Sequence, residues 1–360
     1  MHLRIDAGCQ TVSELPANDT GAFSCLVTGF PGQEPEILRL RNTNRRTPET
    51  LAYLTWRYRA TADAPPPCVY WLLDPQGQRV GMAAAIFRPY RVNGTRVQTA
   101  VIEDISVDAR LRGQGLGQIL LRSMTAHLQQ QFPRHPALVI PTESARKTLA
   151  TVGWQTGGAL VPLVYVLDPA HYVKRWLHSE TLAKRVARCV RGAERLWVRR
   201  HVPRNGTLQL SDTMEDALLR FAQRLPASPG VVRDLGPEFL QWRYAQHPRT
   251  RFTFATFKRL GQIRGFLVFE ATSMEGTCSI YDLVGETADD LRAMLALFVL
   301  RSLATPGLAT LRILLDEQHP GRAQLRRLGF IARAADAVFQ VRDVAAPQAA
   351  WHITQGDKDI

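Results

Sequence analysis

Two carboxylates and a glycine-rich loop lie close together in the stretch Ile102-Glu103-Asp104-Ile105-Ser106-Val107-Asp108-Ala109-Arg110-Leu111-Arg112-Gly113-Gln114-Gly115-Leu116-Gly117. The loop has the chemistry of an anion site. Its three glycines separate an apolar strand from a helical stretch, Ile119-Leu120-Leu121 with Ser123 and Met124. Such a loop lets backbone N–H groups converge on a phosphate at the helix N-terminus, where the helix dipole adds attraction. Arg110 and Arg112 add positive charge. Glu103 and Asp104 are candidates for general-base work, which supplies about 10²–10⁴-fold where a proton leaves a nucleophile. Neighbouring strand residues face opposite sides, so one of the two should point into a cleft.

Placing that loop requires a strand before it and a helix after it, and the chain carries the same order of elements twice. YLTWRY at Tyr53–Tyr58 returns as FLQWRY at Phe239–Tyr244. From Trp56 to Gly81 is 25 residues, and from Trp242 to Gly265 is 23. Between them each copy reads strand, turn, strand: 69–73, 74–77 and 79–87 in the first, 252–257, 258–261 and 263–269 in the second. A further strand, 102–107 or 280–284, leads through helix, strand and helix to Val152-Gly153-Trp154 or Leu328-Gly329-Phe330. Asp104 to Gly153 is 49 residues, and Asp282 to Gly329 is 47. Landmarks in register mark a tandem repeat. The order within each copy implies an α+β fold, a mixed, mainly antiparallel sheet flanked by helices. The expected domains are 1–170, a connector at 171–204, and 205–360. The first WRY should close a helix opened by Thr47-Pro48-Glu49, and the second should lie in the helix after Pro237-Glu238. Occurring in both copies, the motif should serve the fold, its aromatics packing helix on sheet and Arg57 and Arg243 pairing locally.

The copies differ at the loop. After its strand the second copy reads Gly285-Glu286-Thr287-Ala288-Asp289-Asp290-Leu291, with three carboxylates where the first has arginines and glycines, so a phosphate would be repelled there. Asp104 is matched by Asp282 in this copy, which points to a structural part for both; Glu103 is matched by Tyr281 and is the better base.

With 360 residues the chain suits two domains of roughly 150 to 200 residues. The N-terminal MHLRIDAGCQ shows no signal-peptide pattern, and the most apolar window, 294–300, is far short of the roughly 20 residues of a spanning helix, so a cytoplasmic protein is expected. Cys9, Cys25, Cys68, Cys189 and Cys278 are scattered, with no metal-ligand spacing, so reduced structural thiols and no metal are expected. Net charge is +13, and the window Lys174–Arg204 supplies +8 of it. Leu182, Val186, Val190, Ala193 and Trp197 follow helical spacing there. The simplest reading is a bridging helix with its apolar stripe packed and its basic face solvated. A membrane-surface or polyanion contact through 174–204 is the alternative. No specific nucleic-acid partner is expected.

Val107 through Gly117 closely resembles the acyl-CoA pyrophosphate loop of the GNAT acyltransferase superfamily, R/Q-x-x-G-x-G/A, with Arg112, Gly115 and Gly117 at its core positions. The glycine spacing is neither that of a dinucleotide fingerprint nor that of a P-loop. Thr142–Trp154 resembles the superfamily's second motif, N-x-x-A-x-x-x-Y-x-x-x-G-F: Ala145 and Gly153 match, and Trp154 replaces Phe. Thr142 and Leu149 stand where Asn and Tyr are common, and that Tyr often protonates the departing thiolate, so the acid is left unassigned. The resemblance implies acetyl-CoA or another acyl-CoA as co-substrate, held by Ile105, Val107, Arg112, Gly113, Gln114, Gly115, Leu116 and Gly117. An N–H near Ile105–Val107 would polarise the thioester carbonyl. It implies direct acyl transfer to an amine, here of a small molecule such as an amino sugar. In tandem members resembling N-myristoyltransferase the last residues reach the first domain's site, which makes Asp357 or Asp359 a further candidate, against a frayed tail. A catalytically silent CoA-binding regulator or scaffold is the alternative from another class, and an aminoacyl-tRNA-dependent relative is the nearest enzymatic one.

Overall fold

The structure, a computed structural model, describes residues 13–15, 23–43, 47–169, 180–225, 229–270, 276–342 and 350–358. Along the first half run β1 (Ser13–Leu15), β2 (Ser24–Gly29), α1 (Glu34–Thr43), α2 (Leu51–Arg57), β3 (Cys68–Leu73), β4 (Arg79–Val92), β5 (Thr95–Val107), α3 (Leu116–Gln131), β6 (Ala137–Val139), α4 (Glu143–Thr151) and β7 (Gln155–Val166). Then follow α5 (Glu180–Arg199), β8 (Gly206–Ser211), α6 (Asp216–Gln223), β9 (Val231–Arg233), α7 (Pro237–Leu240), β10 (Thr253–Arg259), β11 (Gln262–Glu270), β12 (Thr277–Gly285) and α8 (Ala288–Leu303). The chain ends through β13 (Thr310–Asp316), α9 (Gly321–Arg327), β14 (Ile331–Ala332), β15 (Ala337–Arg342) and β16 (Trp351–His352).

Two compact units result. In the first, the strand order is β1-β2-β3-β4-β5-β6-β15, antiparallel except for the parallel pair β5 and β6. Period-2 patterning explains its two cores. Tyr70 and Leu72 of β3 pack with Leu116, Leu120, Leu121 and Met124, the 3.6-period stripe of α3. Val69 and Trp71 face the other side, with Ile37 and Leu40 of α1 and Leu54 of α2. In the second unit the order β13-β12-β11-β10-β8 carries α8, whose Met294, Leu295, Phe298 and Val299 pack with Leu267, Phe269, Ile280 and Leu283. The landmarks used to align the copies adopt matching conformations: Gly153 and Gly329 end α4 and α9 at φ 92° and 102°, ahead of the buried Trp154 and Phe330.

The units cut across the expected domains. β15, from the second copy, pairs with β6 of the first, Gln340 opposite Val139. Residues 160–166 of β7, from the first copy, pair with β13 of the second, Leu311 opposite Tyr165. Each copy therefore supplies its last strand to the unit built mainly from the other. The physical reason is that any apolar strand satisfies the open edge of β6 or β13, and pattern alone does not choose between them. Phe339 is fully buried, and a Cβ on Gly157 or Gly158 would collide with its ring.

The first WRY helix starts at Leu51 with Thr50 as its cap, accepting from the Tyr53 N–H at 3.3 Å, rather than at Thr47-Pro48-Glu49. Glu49 instead donates its N–H to the Asn42 side chain at 2.7 Å. The connector is helical over Glu180–Arg199. Its Val198 packs in the second unit's core, while Val186, Val190 and Trp197 of the expected apolar stripe are exposed rather than packed. Cys25, Cys68 and Cys278 are buried free thiols and Cys189 is exposed; Cys9 lies outside the described residues. Among the described residues no helix is long and apolar enough to cross a membrane, and no cluster of His, Cys, Asp or Glu is placed to hold a metal.

Candidate functional site

Glu103 and Asp104 do not point to opposite faces. Met82 pairs with Ser106 and Ala84 with Glu103, so Asp104 and Ile105 of β5 bulge opposite Ala83. Asp104 lies at φ 59°, a left-handed conformation costing a non-glycine residue of order 1–3 kcal/mol. The bulge keeps Ile102 and Ile105 on the α3 side and turns both carboxylates towards α1 and α2. The second unit does the same: Ile280 and Leu283 both join the α8 core, and the register shifts between Val268 and Phe269. Apolar residues three apart in a strand, I-E-D-I and I-Y-D-L, are the signal that reveals the bulge in sequence.

A clamp closes on Asp104. The Tyr58 hydroxyl donates to it at 2.7 Å, Arg41 pairs with it, and Arg57 lies 3.8 Å away while binding Glu103. Burial pushes the Tyr58 phenol well above its ordinary range, so it stays a donor. Arg41 also pairs with Glu49 at 3.4 Å. Arg57 therefore reaches 46 residues along the chain rather than pairing locally. Arg88 of β4, fully buried, closes the end of α2 by donating to Arg57 O and to Arg59 O at 2.5 and 2.6 Å. In the second unit Tyr244 donates to Asp282, and Arg233 pairs with Asp282 at 2.8 Å. The clamp therefore recurs in both units, which marks Asp104 as a positioning residue. Of the two carboxylates Glu103 is the more accessible, its side chain 15% exposed against 1%. Tyr58→Phe and Tyr244→Phe should each cost about 1–3 kcal/mol in denaturant unfolding by leaving a buried carboxylate short of a donor. Only Tyr58→Phe should also lower turnover.

Beside the clamp opens a cleft of ≈ 770 Å³, lined by Asp104, Ile105, Ser106 and Val107 on one wall, the glycine loop at one end and Ser144, Ala145, Lys147 and Thr148 of α4 on the other wall. Arg112, Gly113, Gly115, Leu116 and Gly117 all line it; Gln114 is exposed in the same loop. Gly115 caps α3 at φ 77° with no side-chain capping bond, so the helix terminus that lines the cleft has no capping side chain. A Cβ at Gly113, Gly115 or Gly117 would meet no protein atom within 4 Å. This is a cradle suited to a diphosphate, with Arg112 and Lys147 as flanking cations. Arg110 is not part of it: Asp108 binds its guanidinium at 2.8 Å, and that guanidinium holds the Asp108 carboxyl down to about 2. Leu149, at the Tyr position, is fully buried in the α3 core and presents nothing to the cleft. The hydroxyls along α4 and the clamp residue Arg41 carry no signal of their own in the sequence, and Tyr58 is read there, within WRY, only as packing; the recurrence of RY together with a strand Asp is the available signal.

At the corresponding place in the second unit, Thr287 caps α8 by accepting from the Asp290 N–H at 3.1 Å, and Glu286 pairs with Arg264. The helix terminus is thus already satisfied and acidic. Asp357 is placed in this unit too. Its carboxylate, with no exposed surface, accepts from the Thr354 N–H at 2.8 Å and pairs with Arg233 at 3.3 Å. Arg243 donates to Gly356 O at 3.1 Å and Lys358 O at 3.2 Å. Over 350–358 the tail is ordered into the unit, and Asp357 closes a one-turn capping box and pairs with Arg233. Asp359 lies outside the described residues.

Residues 35–145 match the model of the acetyltransferase (GNAT) family. None of the curated proteins matches the sequence. Among solved structures, a probable N-acyltransferase from Enterococcus faecalis V583 is similar in fold at 14% identity and TM-score 0.62, covering 89% of this chain and 72% of that one. A tandem GNAT protein of the clavulanic acid biosynthesis pathway aligns at 14% identity and TM-score 0.52, over 89% of this chain and 99% of its own. Saccharomyces cerevisiae N-myristoyltransferase with bound myristoyl-CoA aligns at 12% identity and TM-score 0.52, over 91% and 83%. Residues 35–145 thus carry a domain that matches the GNAT family, in a chain whose fold is similar to that of a tandem GNAT protein.

Proposed function

We propose that the protein is an acyl-CoA-dependent N-acyltransferase of the cytoplasm, in which the first unit alone takes the acyl-CoA and passes an acetyl or other acyl group to an amine of a small molecule, such as an amino sugar. The observation that carries this reading is the contrast between α3, whose terminus is left uncapped at Gly115 above an open cleft, and α8, which Thr287 caps. Bound acyl-CoA would supply an activated thioester. The chain's own residues do the rest: the loop and Arg112 hold phosphates, and backbone N–H groups near Ile105–Val107 stabilise the developing oxyanion, worth roughly 2.7–4 kcal/mol per donor. Glu103 takes the proton from the amine as nitrogen attacks the carbonyl carbon, and the C–S bond breaks. The acid that returns a proton to sulfur is unassigned.

The buried Leu149 favours one other reading, a CoA-binding regulator without turnover. Incubation with acetyl-CoA and a panel of amino sugars separates the two: release of free thiol is the expected result, and binding without release is the regulator's. Glu103→Gln should lower that release by about 10²–10⁴-fold with acetyl-CoA affinity unchanged.

A further inference from the structure

Arg57 and Arg243, the arginines of the two WRY segments, are equally buried, each 2% exposed. Their guanidiniums nevertheless serve different groups. Arg243 donates to two main-chain carbonyls of the tail, Gly356 O at 3.1 Å and Lys358 O at 3.2 Å. Arg57 binds the Glu103 carboxylate and lies 3.8 Å from that of Asp104. At the place of Glu103 the second copy has Tyr281, whose hydroxyl donates to Glu270 at 3.1 Å. The pairing of a WRY arginine with an acid at this strand position is thus confined to the unit with the uncapped glycine loop. The fold alone does not require it, since the second unit keeps the bulge and the clamp on its strand Asp without it.

Arg57 is itself held in place. The buried Arg88 donates to Arg57 O and Arg59 O, which fixes the end of α2 and so the root of the Arg57 side chain. Arg57 Nη2 then donates to one oxygen of Glu103, Oε2. A guanidinium is planar and pre-organised, so it sets the orientation of the carboxylate as well as balancing its charge. The charged cluster around Glu103 comprises Arg57 from α2, Asp104 beside it on β5, Arg41 from α1, and Glu49, which pairs with Arg41; the Tyr58 phenol adds its hydroxyl to Asp104. Removing Arg57 takes away one of that cluster's two cations. An opposite charge within about 4–6 Å favours the ionised carboxylate, so without it Glu103 takes up a proton at higher pH. We propose that Arg57 is the positioning residue of the acyl-transfer base, orienting the Glu103 carboxylate and keeping it ionised while the amine arrives. This rests on the reading of Glu103 as the base.

The test is thiol release by the full-length protein from acetyl-CoA, with the amino-sugar panel as acceptors, followed against pH. Arg57→Gln should move the acidic limb of kcat/KM for the amine up by about 1–3 pH units, with acetyl-CoA affinity unchanged. Arg57→Lys restores the charge and should bring the limb back. Arg243→Gln, the equally buried control, should melt early but leave the limb in place. Saturating acetyl-CoA in the assay favours the folded form of each variant. If Arg57→Gln still does not fold, the double variant Glu103→Gln with Arg57→Gln decides, because it removes both members of the pair. It should release thiol no slower than Glu103→Gln alone, since a residue acting only through Glu103 has nothing further to lose. An unmoved limb in folded Arg57→Gln, or an equal movement in Arg243→Gln, overturns the positioning role. So does a further loss of about tenfold or more in the double variant. Release that Glu103→Gln leaves unchanged removes the base reading itself, and this inference with it.

Discussion

Gly115→Val should weaken acetyl-CoA binding by at least about tenfold, ~1.4 kcal/mol, in a protein that still folds. Two effects add. Gly115 sits at φ 77°, where a β-branched residue is strained by about 1–2 kcal/mol. Gly115 also lines the cleft, and a Cβ there meets no protein atom within 4 Å, so the new side chain takes up cleft space beside the loop. Gly77, in the turn closed by its own N–H to Asp74 O at 2.9 Å, has nearly the same φ, 76°, and equally open surroundings. Gly77→Val therefore carries the same backbone strain without touching the cleft. The two variants should lose similar stability in denaturant titration, and only Gly115→Val should lose acetyl-CoA. Equal affinity in both would remove the loop from the binding site.

Removing residues 337–360 should abolish cooperative folding of the whole chain, an effect larger than loss of a C-terminal appendage would give. That stretch supplies β15 to the first unit and the segment 350–358 to the second. Phe339→Ala alone should cost about 3–5 kcal/mol, since the ring has no exposed surface and rests on two glycines that cannot refill its volume. Deleting only 353–360 should cost about 3–5 kcal/mol by another route. It strips Asp357 and Thr354 from the buried Arg233, and takes from Arg243 the carbonyls of Gly356 and Lys358. Total stabilities of about 5–15 kcal/mol leave little margin for either loss. Circular dichroism melts give the readout; a truncated chain that unfolds like the intact one would contradict the strand exchange.

What the sequence makes legible differs by feature, for physical reasons. The repeat, the strand–turn–strand order and the glycine loop were legible because each rests on local chemistry: Asp74 and Gly77 make a turn wherever they fall, and Gly115 signals a left-handed cap. The exchange of β7 and β15 was not, because both are apolar strands of similar pattern and only the competition between two open edges decides their partners. Strict alternation would separate Glu103 and Asp104 on opposite faces; a single extra residue in β5 breaks it and puts both on one side. Trp56 and Trp242 of the two WRY segments are buried, but the polar partners follow no local rule: Arg57 and Tyr58 meet acids on β5, while Arg243 reaches carbonyls more than a hundred residues on. Long-range polar pairing leaves no periodic trace.

Of the two copies of one fold, only the first unit should hold acyl-CoA. Isothermal titration of the full-length protein with acetyl-CoA measures this directly. One molecule bound per chain, lost in Gly115→Val and kept in Gly77→Val, is the predicted result; two molecules per chain, or one that survives Gly115→Val, would contradict it.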